Sequence, residues 1–252
     1  MKLVTYRKTK TSKARLGVIN DGQVTDVQKL GLLSGSQLPD TMLRLIDLGP
    51  DATFALSNLL NKKETRLPPG ISVPVENVTL LAPIPTPRKN IFGIGLNYVE
   101  HVAESAKNLD TAKDLPTKPV VFSKPPTAVI GTGDSIQHNS KMTQQLDWEV
   151  ELAVIIGTKA TRIEAKNAMD HVFGYSIMND VSARDNRRAG QWIFSKGQDT
   201  FAPFGPCIVT KDEITDPHNL NLWLKKNGVE KQNSNTKHLL FNLSLIHISE
   251  PT

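Results

Sequence analysis

Six of the sixteen prolines of this 252-residue chain fall between residues 68 and 87, and they divide the sequence more sharply than any other feature. Proline fixes the backbone angle φ and removes a hydrogen-bond donor, so a cluster of prolines favours extended chain over helix or central strand. We therefore predict an extended, proline-rich connector over residues 68–90. It would separate a small N-terminal unit, residues 1–67, from a larger unit that begins at Ile91.

The N-terminal unit carries turn and helix signals. Asn20-Asp21-Gly22 lies between two short β-prone runs, which predicts a hairpin whose turn needs positive φ. Asp40 is positioned to cap a short helix, and Asp51 precedes a second run with helical spacing.

The excess positive charge that gives the chain its net charge of +5 lies in one segment. Six basic residues and no acid lie in residues 1–15, while the rest of the chain carries 24 basic and 25 acidic residues. A solvated basic face is the favoured interpretation, and a phosphate-binding arm for nucleic acid is the alternative. No apolar run is long enough to span a membrane. The single cysteine excludes an intramolecular disulfide and fits a reducing compartment, for which we expect the cytoplasm.

The larger unit begins with a short buried strand, 91–94, followed by a helix over 98–107 with Asn97 as its N-cap. Its strongest strand is predicted at 146–156. A helical segment at 163–172 and a strand at 173–178 follow, which predicts a crossover with two parallel neighbours. Two runs around Asn227-Gly228 predict a hairpin with a type I′ turn.

Carboxylates alternate along the strongest strand. Asp147, Glu149 and Glu151 share one face there, and Asp180 follows the next strand. A parallel neighbour would bring Asp180 beside Glu149 and Glu151, where three carboxylates suit a hard divalent ion such as Mg²⁺ or Mn²⁺. The alternative is an ordinary strand with a solvated acidic face.

Two further groups complete the candidate site. His101 and Glu104 are three residues apart on the predicted helix, where the carboxylate can orient the imidazole as a general base. Surface or core positions are the alternative for both residues. Lys196 and Arg184 are cations near the acids in sequence, and each either holds a substrate carboxylate or forms a surface pair.

Five segments together resemble the fumarylacetoacetate hydrolase family, in its small single-chain members known as acylpyruvate hydrolases, 2-hydroxyhepta-2,4-diene-1,7-dioate isomerases or oxaloacetate tautomerases. They occur in family order over about residues 90–240. The segments are Gly93-Ile-Gly-Leu-Asn-Tyr-Val-Glu-His101, Phe122-Ser-Lys-Pro125, Asp147-Trp-Glu-Val-Glu-Leu152, Gly174-Tyr-Ser-Ile-Met-Asn-Asp-Val-Ser-Ala-Arg-Asp185 and Lys196-Gly-Gln-Asp-Thr-Phe-Ala-Pro-Phe-Gly-Pro206.

The resemblance implies an α+β fold: a mixed β-sandwich roll with peripheral helices, plus a small N-terminal α+β domain, usually in a homodimer. It implies metal ligands, a catalytic pair on a lid, an active-site lysine and a substrate-contacting arginine. These are Glu149, Glu151 and Asp180 as ligands of Mg²⁺ or Mn²⁺, with Ca²⁺ as a further candidate; His101 and Glu104; Lys196; and Arg184.

The implied substrate is a small 2-oxo acid or 1,3-dicarbonyl that reacts through an enolate. C–C bond hydrolysis of an acylpyruvate-like substrate is the expected reaction; tautomerisation or decarboxylation, for example of oxaloacetate, is the alternative. The chain departs from the family pattern at Asn186-Arg-Arg-Ala189, where many relatives carry a glutamine. It also departs after Leu243, so we expect residues 91–243 to be an incomplete catalytic domain and 244–252 a non-native tail. An inactive fragment is the further alternative.

Overall fold

The computed structural model describes residues 1–61, 68–98, 115–187 and 191–243, and within these it is an α+β fold built mostly from strands. The strands are β1 (Lys2–Arg7), β2 (Arg15–Asn20), β3 (Gln23–Asp26), β4 (Ser72–Pro74), β5 (Thr79–Leu80), β6 (Ile91–Gly95), β7 (Val120–Lys124), β8 (Val129–Ile130), β9 (Leu146–Asp147), β10 (Val150–Ile156), β11 (Val172–Asn179), β12 (Ser182–Ala183), β13 (Ala202–Pro203), β14 (Ile208–Thr210), β15 (Asn221–Lys226) and β16 (Val229–Asn235). The α-helices are α1 (Val27–Leu33), α2 (Met42–Leu60) and α3 (Ile193–Lys196).

One large sheet joins the N-terminal strands to the strands of the larger unit. Its order is β10-β11-β14-β1-β2-β3-β4, and β5 pairs with the far end of β1. The junction is antiparallel, with Lys2 opposite Val209 and Leu3 opposite Ile208. Residues 1–61 therefore share their hydrogen-bonded framework with the segment that follows the connector.

The proline-rich connector contributes to this sheet. Ser72–Pro74 pairs with β3, and Thr79–Leu80 pairs with β1, so two short edge strands form between the prolines. Short edge strands tolerate proline because their outer N–H groups need no partner.

The predicted N-terminal elements are confirmed with one change of cap. Asp21 and Gly22 have φ values of 46° and 71°, as the predicted turn requires. The side chain of Thr41, not Asp40, accepts a hydrogen bond from the Arg44 N–H and caps α2. The two predicted helical runs are joined in α2 at Gly49, whose φ of 74° and ψ of −161° break the helix before Pro50.

The predicted strand 146–156 is interrupted, and its neighbour is not parallel. Leu146–Asp147 pairs with β12, and Val150–Ile156 pairs antiparallel with β11, so Trp148 and Glu149 lie at the break. The crossover prediction was wrong because the intervening segment, Ala165–His171, is a 3₁₀ helix that returns the chain as a neighbouring antiparallel strand.

The C-terminal hairpin is confirmed. Strands β15 and β16 pair antiparallel, and Asn227 and Gly228 between them have φ values of 51° and 78°. These values are the left-handed pair that a type I′ turn needs. The side chain of Gln232 accepts a hydrogen bond from the Val150 N–H at 2.8 Å, which fixes this hairpin against the start of β10.

The largest apolar cluster of the described residues lies against the large sheet. It combines Leu16, Val27 and Leu45 from the N-terminal unit with Ile155 and Ile208 from the larger unit. Burial of this shared apolar surface is the main stabilising contribution to the fold. Over the residues that the structure describes, no helix is both long and apolar enough to cross a membrane.

Candidate active site

The candidate site is a cavity of about 1170 Å³ beside the break between β9 and β10. The charged side chains that line it come from β7, β10, the end of β11, the turn after β12, and α3. They include Lys124, Glu149, Glu151, Asp180, Arg184, Arg187 and Lys196. The site thus collects side chains that are far apart in sequence: Lys124 ends β7, Asp180 directly follows β11, and Lys196 ends α3.

The break positions Glu149. Its backbone N–H donates to the Asn179 side chain at 3.1 Å, and its carbonyl accepts from the Asp180 N–H at 2.8 Å. This backbone contact holds the Glu149 and Asp180 carboxylates at the same place, and both are buried. The predicted convergence of Glu149 and Asp180 is therefore observed, although through an antiparallel pair.

Lys196 bridges these two carboxylates. Its Nζ lies 2.5 Å from Glu149 Oε2 and 2.7 Å from Asp180 Oδ2, and the lysine is only 4% exposed. Burial opposes ionisation of Glu149, but the charges of Lys196 and Arg184 outweigh it and lower the pKa of Glu149. Lys196 is thus a buried ammonium group that holds two acids together.

Lys124 is a member of the site that sequence reasoning missed. It is 2% exposed; its Nζ lies 2.7 Å from Asp180 Oδ1 and donates to the carbonyls of Val181, Lys196 and Phe201 at 3.1, 2.5 and 2.8 Å. Burial, opposed by the Asp180 charge, lowers the pKa of Lys124 to about 8. The available signal was the lysine of the family segment Phe122-Ser-Lys-Pro125, which ends the predicted strand.

Arg184 is committed to two carboxylates. Its Nη1 lies 2.6 Å from Glu149 Oε1, and its Nε lies 2.9 Å from Asp147 Oδ2. Burial disfavours the charged guanidinium, yet the Glu149 and Asp147 charges raise the pKa of Arg184. Asp147 therefore belongs to the site as a partner of Arg184.

Glu151 lines the same cavity and forms no ion pair with any of the described residues. Burial, followed by the charges of Glu149 and Asp180, raises its pKa to about 8. A raised pKa means that a third negative charge is unfavourable beside the other two until a further positive charge is present.

The carboxylates of the site are of the chemical type that binds a hard divalent cation. Glu149, Glu151 and Asp180 supply carboxylate oxygens, which are the donors that Mg²⁺ and Mn²⁺ prefer. In the described part of the chain, however, no group of three or more His, Cys, Asp or Glu side chains is already arranged as a metal site. The Lys196 Nζ lies between two of the three acids, Glu149 and Asp180.

His101 and Glu104, the predicted catalytic pair, lie outside the described residues. The backbone just before them is anchored: the Asn97 side chain donates to the Phe241 carbonyl at 3.1 Å and accepts from the Phe241 N–H at 2.7 Å. Asn97 thus pairs with a distant backbone segment, and residues 99–107 of the helix that it is predicted to cap lie outside the described residues.

Comparison of the sequence with models of known protein families identifies the family of the chain. The model for the fumarylacetoacetate hydrolase C-terminal domain matches residues 90–248, which is more than half of the chain. The chain belongs to the fumarylacetoacetate hydrolase family. The match begins one residue before the predicted boundary at Ile91 and extends five residues beyond Leu243.

Curated members of this family resemble the chain over nearly its whole length. It is 37% identical over 246 residues to a mitochondrial oxaloacetate tautomerase of Xenopus laevis, covering 96% of this chain and 72% of that protein. It is 36% identical over 231 residues to an oxaloacetate tautomerase of Bacillus subtilis, covering 90% of this chain and 75% of that protein.

Solved structures of the family share the fold. A fumarylacetoacetate hydrolase from Exiguobacterium antarcticum matches with a TM-score of 0.76 at 34% identity, covering 99% of this chain and 80% of that one. A maleylpyruvate hydrolase from Sphingobium sp. SYK-6, in complex with manganese(II) and pyruvate, matches with a TM-score of 0.75 at 28% identity, covering 99% and 82%. The predicted α+β family fold is confirmed, and the named relatives are enzymes.

Proposed function

We propose that this chain is a metal-assisted enzyme that interconverts the enol and keto forms of a small 2-oxo dicarboxylate of the oxaloacetate class. The carrying observation is the buried cluster in which Lys196 and Lys124 meet Glu149 and Asp180. Clustered acids that share buried cations are typical of sites that stabilise charge during reaction. The curated relatives at 36–37% identity, both named oxaloacetate tautomerases, favour this reaction.

The chemistry requires a negative charge on the substrate to be stabilised. A divalent cation held by Glu149, Glu151 and Asp180 would act as a Lewis acid toward the 2-oxo carboxylate when it is bound. Lys196 Nζ supplies a positive charge where negative charge develops on the 2-oxo oxygen. In the enol-to-keto direction the enol O–H loses its proton and C3 gains one, and we assign this proton movement to His101, oriented by Glu104.

Hydrolysis of an acylpyruvate is the second candidate. It is favoured by the maleylpyruvate hydrolase structure, which contains manganese(II) and pyruvate. In that reaction His101 would activate a water molecule that attacks the distal carbonyl. The C–C bond then breaks, and the resulting pyruvate enolate accepts a proton. Both reactions use the same charge-stabilising residues and differ in whether water attacks.

One experiment separates the candidates. The purified chain with Mn²⁺ is mixed with enol-oxaloacetate, and loss of the enol absorbance is followed; acetylpyruvate and fumarylpyruvate are tested by coupled detection of pyruvate. We expect accelerated ketonisation, and a Lys196→Met variant with kcat reduced by roughly 100-fold or more, because a charge-stabilising donor is lost. Lys118→Met, an exposed lysine before β7, is the matched control.

Two results would contradict the proposal. Pyruvate release without accelerated ketonisation would favour the hydrolase. Neither reaction in a folded, metal-loaded chain would favour the inactive fragment that the sequence leaves open.

The metal assignment has its own test. Glu151→Gln removes one carboxylate oxygen donor, so we expect Mn²⁺ affinity in a calorimetric titration to fall by roughly 10-fold or more. Glu164→Gln, at an exposed glutamate paired with Lys166, should bind Mn²⁺ like the unchanged chain. Equal affinity in the Glu151 variant would remove this residue from the ligand set.

We also propose a homodimer in the cytoplasm. Large apolar side chains such as Ile177 and Trp223 are more than half exposed in the single chain, which favours an interface that covers them. Sedimentation equilibrium tests the dimer, and a monomer would contradict it. The name of the Xenopus relative includes mitochondria, so localisation of the tagged protein should be measured against both compartments.

A further inference from the structure

Arg187 is a cavity-lining cation that the functional assignment above does not use. Its guanidinium carbon lies 3.9 Å from the centroid of the Trp192 ring, so the planar group stacks on the indole. Both residues line the same cavity as Glu149 and Lys196. Stacking fixes the plane of the guanidinium and leaves its edge free to donate hydrogen bonds.

The Trp192 ring is itself held in place. It packs 5.4 Å from the Phe122 ring, centroid to centroid, and it lies directly over Gly95. A Cβ atom on Gly95 would be 2.4 Å from a Trp192 ring carbon, so only glycine permits this approach. The stack that presents Arg187 to the cavity is therefore a packed part of the structure.

Charge pairing distinguishes Arg187 from the neighbouring cations. Lys124, Lys196 and Arg184 each lie within 2.9 Å of a carboxylate oxygen. Arg187, in contrast, has no carboxylate within ion-pair distance in the described parts of the chain. Its Nη2 atom is buried and has no hydrogen-bond partner there.

An unpaired guanidinium in this position is energetically unfavourable by itself. Burial, and then the like charge of Arg184, lower the pKa of Arg187. A carboxylate ligand would supply both the missing charge and two acceptors that match the guanidinium edge. Other cations that line the cavity, such as Lys159 and Arg162, are exposed and already solvated.

We propose that Arg187 binds the second carboxylate of the substrate and so selects 2-oxo dicarboxylates over 2-oxo monocarboxylates. This inference rests on the proposed function for the substrate class. The first carboxylate and the 2-oxo group bind at the Glu149–Asp180–Lys196 cluster, and the distal carboxylate accepts hydrogen bonds from Arg187. Arg187 is then a specificity-determining residue, because it contacts the substrate away from the atoms that react.

The binding test uses ligands that cannot tautomerise. Malate and 2-hydroxybutyrate both have four carbons and differ only in the terminal carboxylate. Titration calorimetry on the Mn²⁺-loaded chain should give roughly 10- to 100-fold tighter binding of malate, the range for a hydrogen-bonded charged group. Arg187→Met should abolish this preference, and Arg187→Lys should retain part of it.

Controls keep the result independent of folding and of the reaction. Arg162→Met removes an exposed arginine of the same cavity and should leave the malate preference unchanged. Arg187→Gln keeps a polar side chain, and its melting midpoint is measured beside that of Arg187→Met. In turnover, Arg187→Met should raise the KM for oxaloacetate roughly 10- to 100-fold with little change in kcat.

Each outcome has a distinct meaning. Equal binding of the two ligands by the unchanged chain, or a preference that persists in folded Arg187 variants, would overturn the role of Arg187. A malate preference that depends on Arg187, in a chain that does not accelerate ketonisation, would support the anion site and contradict the proposed reaction.

Discussion

At the scale of single residues, Asp26 shows how one buried carboxylate organises a whole region. It accepts hydrogen bonds from the Tyr6 hydroxyl and Arg15 Nη2 at 2.8 Å, and from the Lys29 N–H at 2.9 Å. It is fully buried and caps α1. Burial opposes its ionisation, but Arg15, Lys29 and Tyr6 outweigh burial and lower the pKa of Asp26.

A lowered pKa in the folded state predicts a specific pH dependence. The ionised Asp26 stabilises the fold fully above the unfolded-state pKa of about 3.9, and this contribution is lost as pH falls through the lower folded-state pKa. Asp26→Asn should reduce the free energy of unfolding at pH 7 by about 2–4 kcal/mol, since it leaves Arg15 without its counter-ion. Urea unfolding at pH 7 and pH 3 measures the difference, which should shrink at pH 3.

The matched control is Asp47→Asn, which breaks an exposed pair with Arg88. It should leave the melting midpoint nearly unchanged, because exposed pairs contribute little. An Asp26→Asn effect that is the same at both pH values would show that loss of packing, and not loss of charge, causes it.

At the scale of elements, Lys124 connects parts of the chain that share no strand pairing. It ends β7, and its ammonium group binds the carbonyls of Val181 before β12, of Lys196 at the end of α3, and of Phe201 before β13. These contacts hold Asp180 and Lys196 in position from the backbone side.

Lys124→Met removes this connection while keeping the apolar stem. It removes one donor from three buried carbonyls and the positive charge beside Asp180, so the free energy of unfolding should fall by about 2–4 kcal/mol and kcat should also fall. Lys124→Arg should recover part of the stability. Lys118→Met serves again as the control, and a Lys124→Met variant as stable as that control would contradict this role.

The elements that could be predicted from sequence are those fixed by local chemistry. The turns at Asp21-Gly22 and Asn227-Gly228 follow from residues that tolerate positive φ. The orientation of β11 against β10 could not be predicted, because it depends on how the 3₁₀ segment between them packs. Strand alternation also missed the break at Trp148-Glu149, which long-range pairing with β12 imposes.

The site could be predicted only in part, because some of its residues follow from local sequence patterns and others from long-range contacts. Acid spacing and family motifs identified Glu149, Glu151, Asp180 and Lys196, and the structure brings Glu149 and Asp180 into contact with Lys196. Lys124 and Arg187 were missed, because their importance lies in contacts with distant backbone and with one aromatic ring. His101 and Glu104 stay predictions.

At the scale of the whole molecule, the N-terminal residues and the larger unit share the eight-stranded sheet and the largest apolar cluster. Leu16→Ala, at a fully buried N-terminal position, should therefore destabilise the whole fold by about 2–5 kcal/mol. All three tryptophans, at 148, 192 and 223, lie in the larger unit. The unfolding transition of Leu16→Ala, followed by tryptophan fluorescence, should shift to lower denaturant concentration. The transition followed by far-ultraviolet circular dichroism should shift with it.

Leu32→Ala, at a side chain that is 70% exposed, is the control and should shift neither signal. Two results together would show that the two units unfold independently. In Leu16→Ala, the midpoint of the tryptophan fluorescence transition would not change, and the circular dichroism transition would divide into two steps.

The way in which Arg187 is held has a consequence for how substrate preference can change in evolution. Glu149, Asp180 and Lys196 are tied to one another and to the backbone through Lys124, whereas Arg187 rests on one indole ring in the turn between β12 and α3. Substitutions in that turn can therefore change which substrate acids bind, while Glu149, Asp180 and Lys196 stay unchanged.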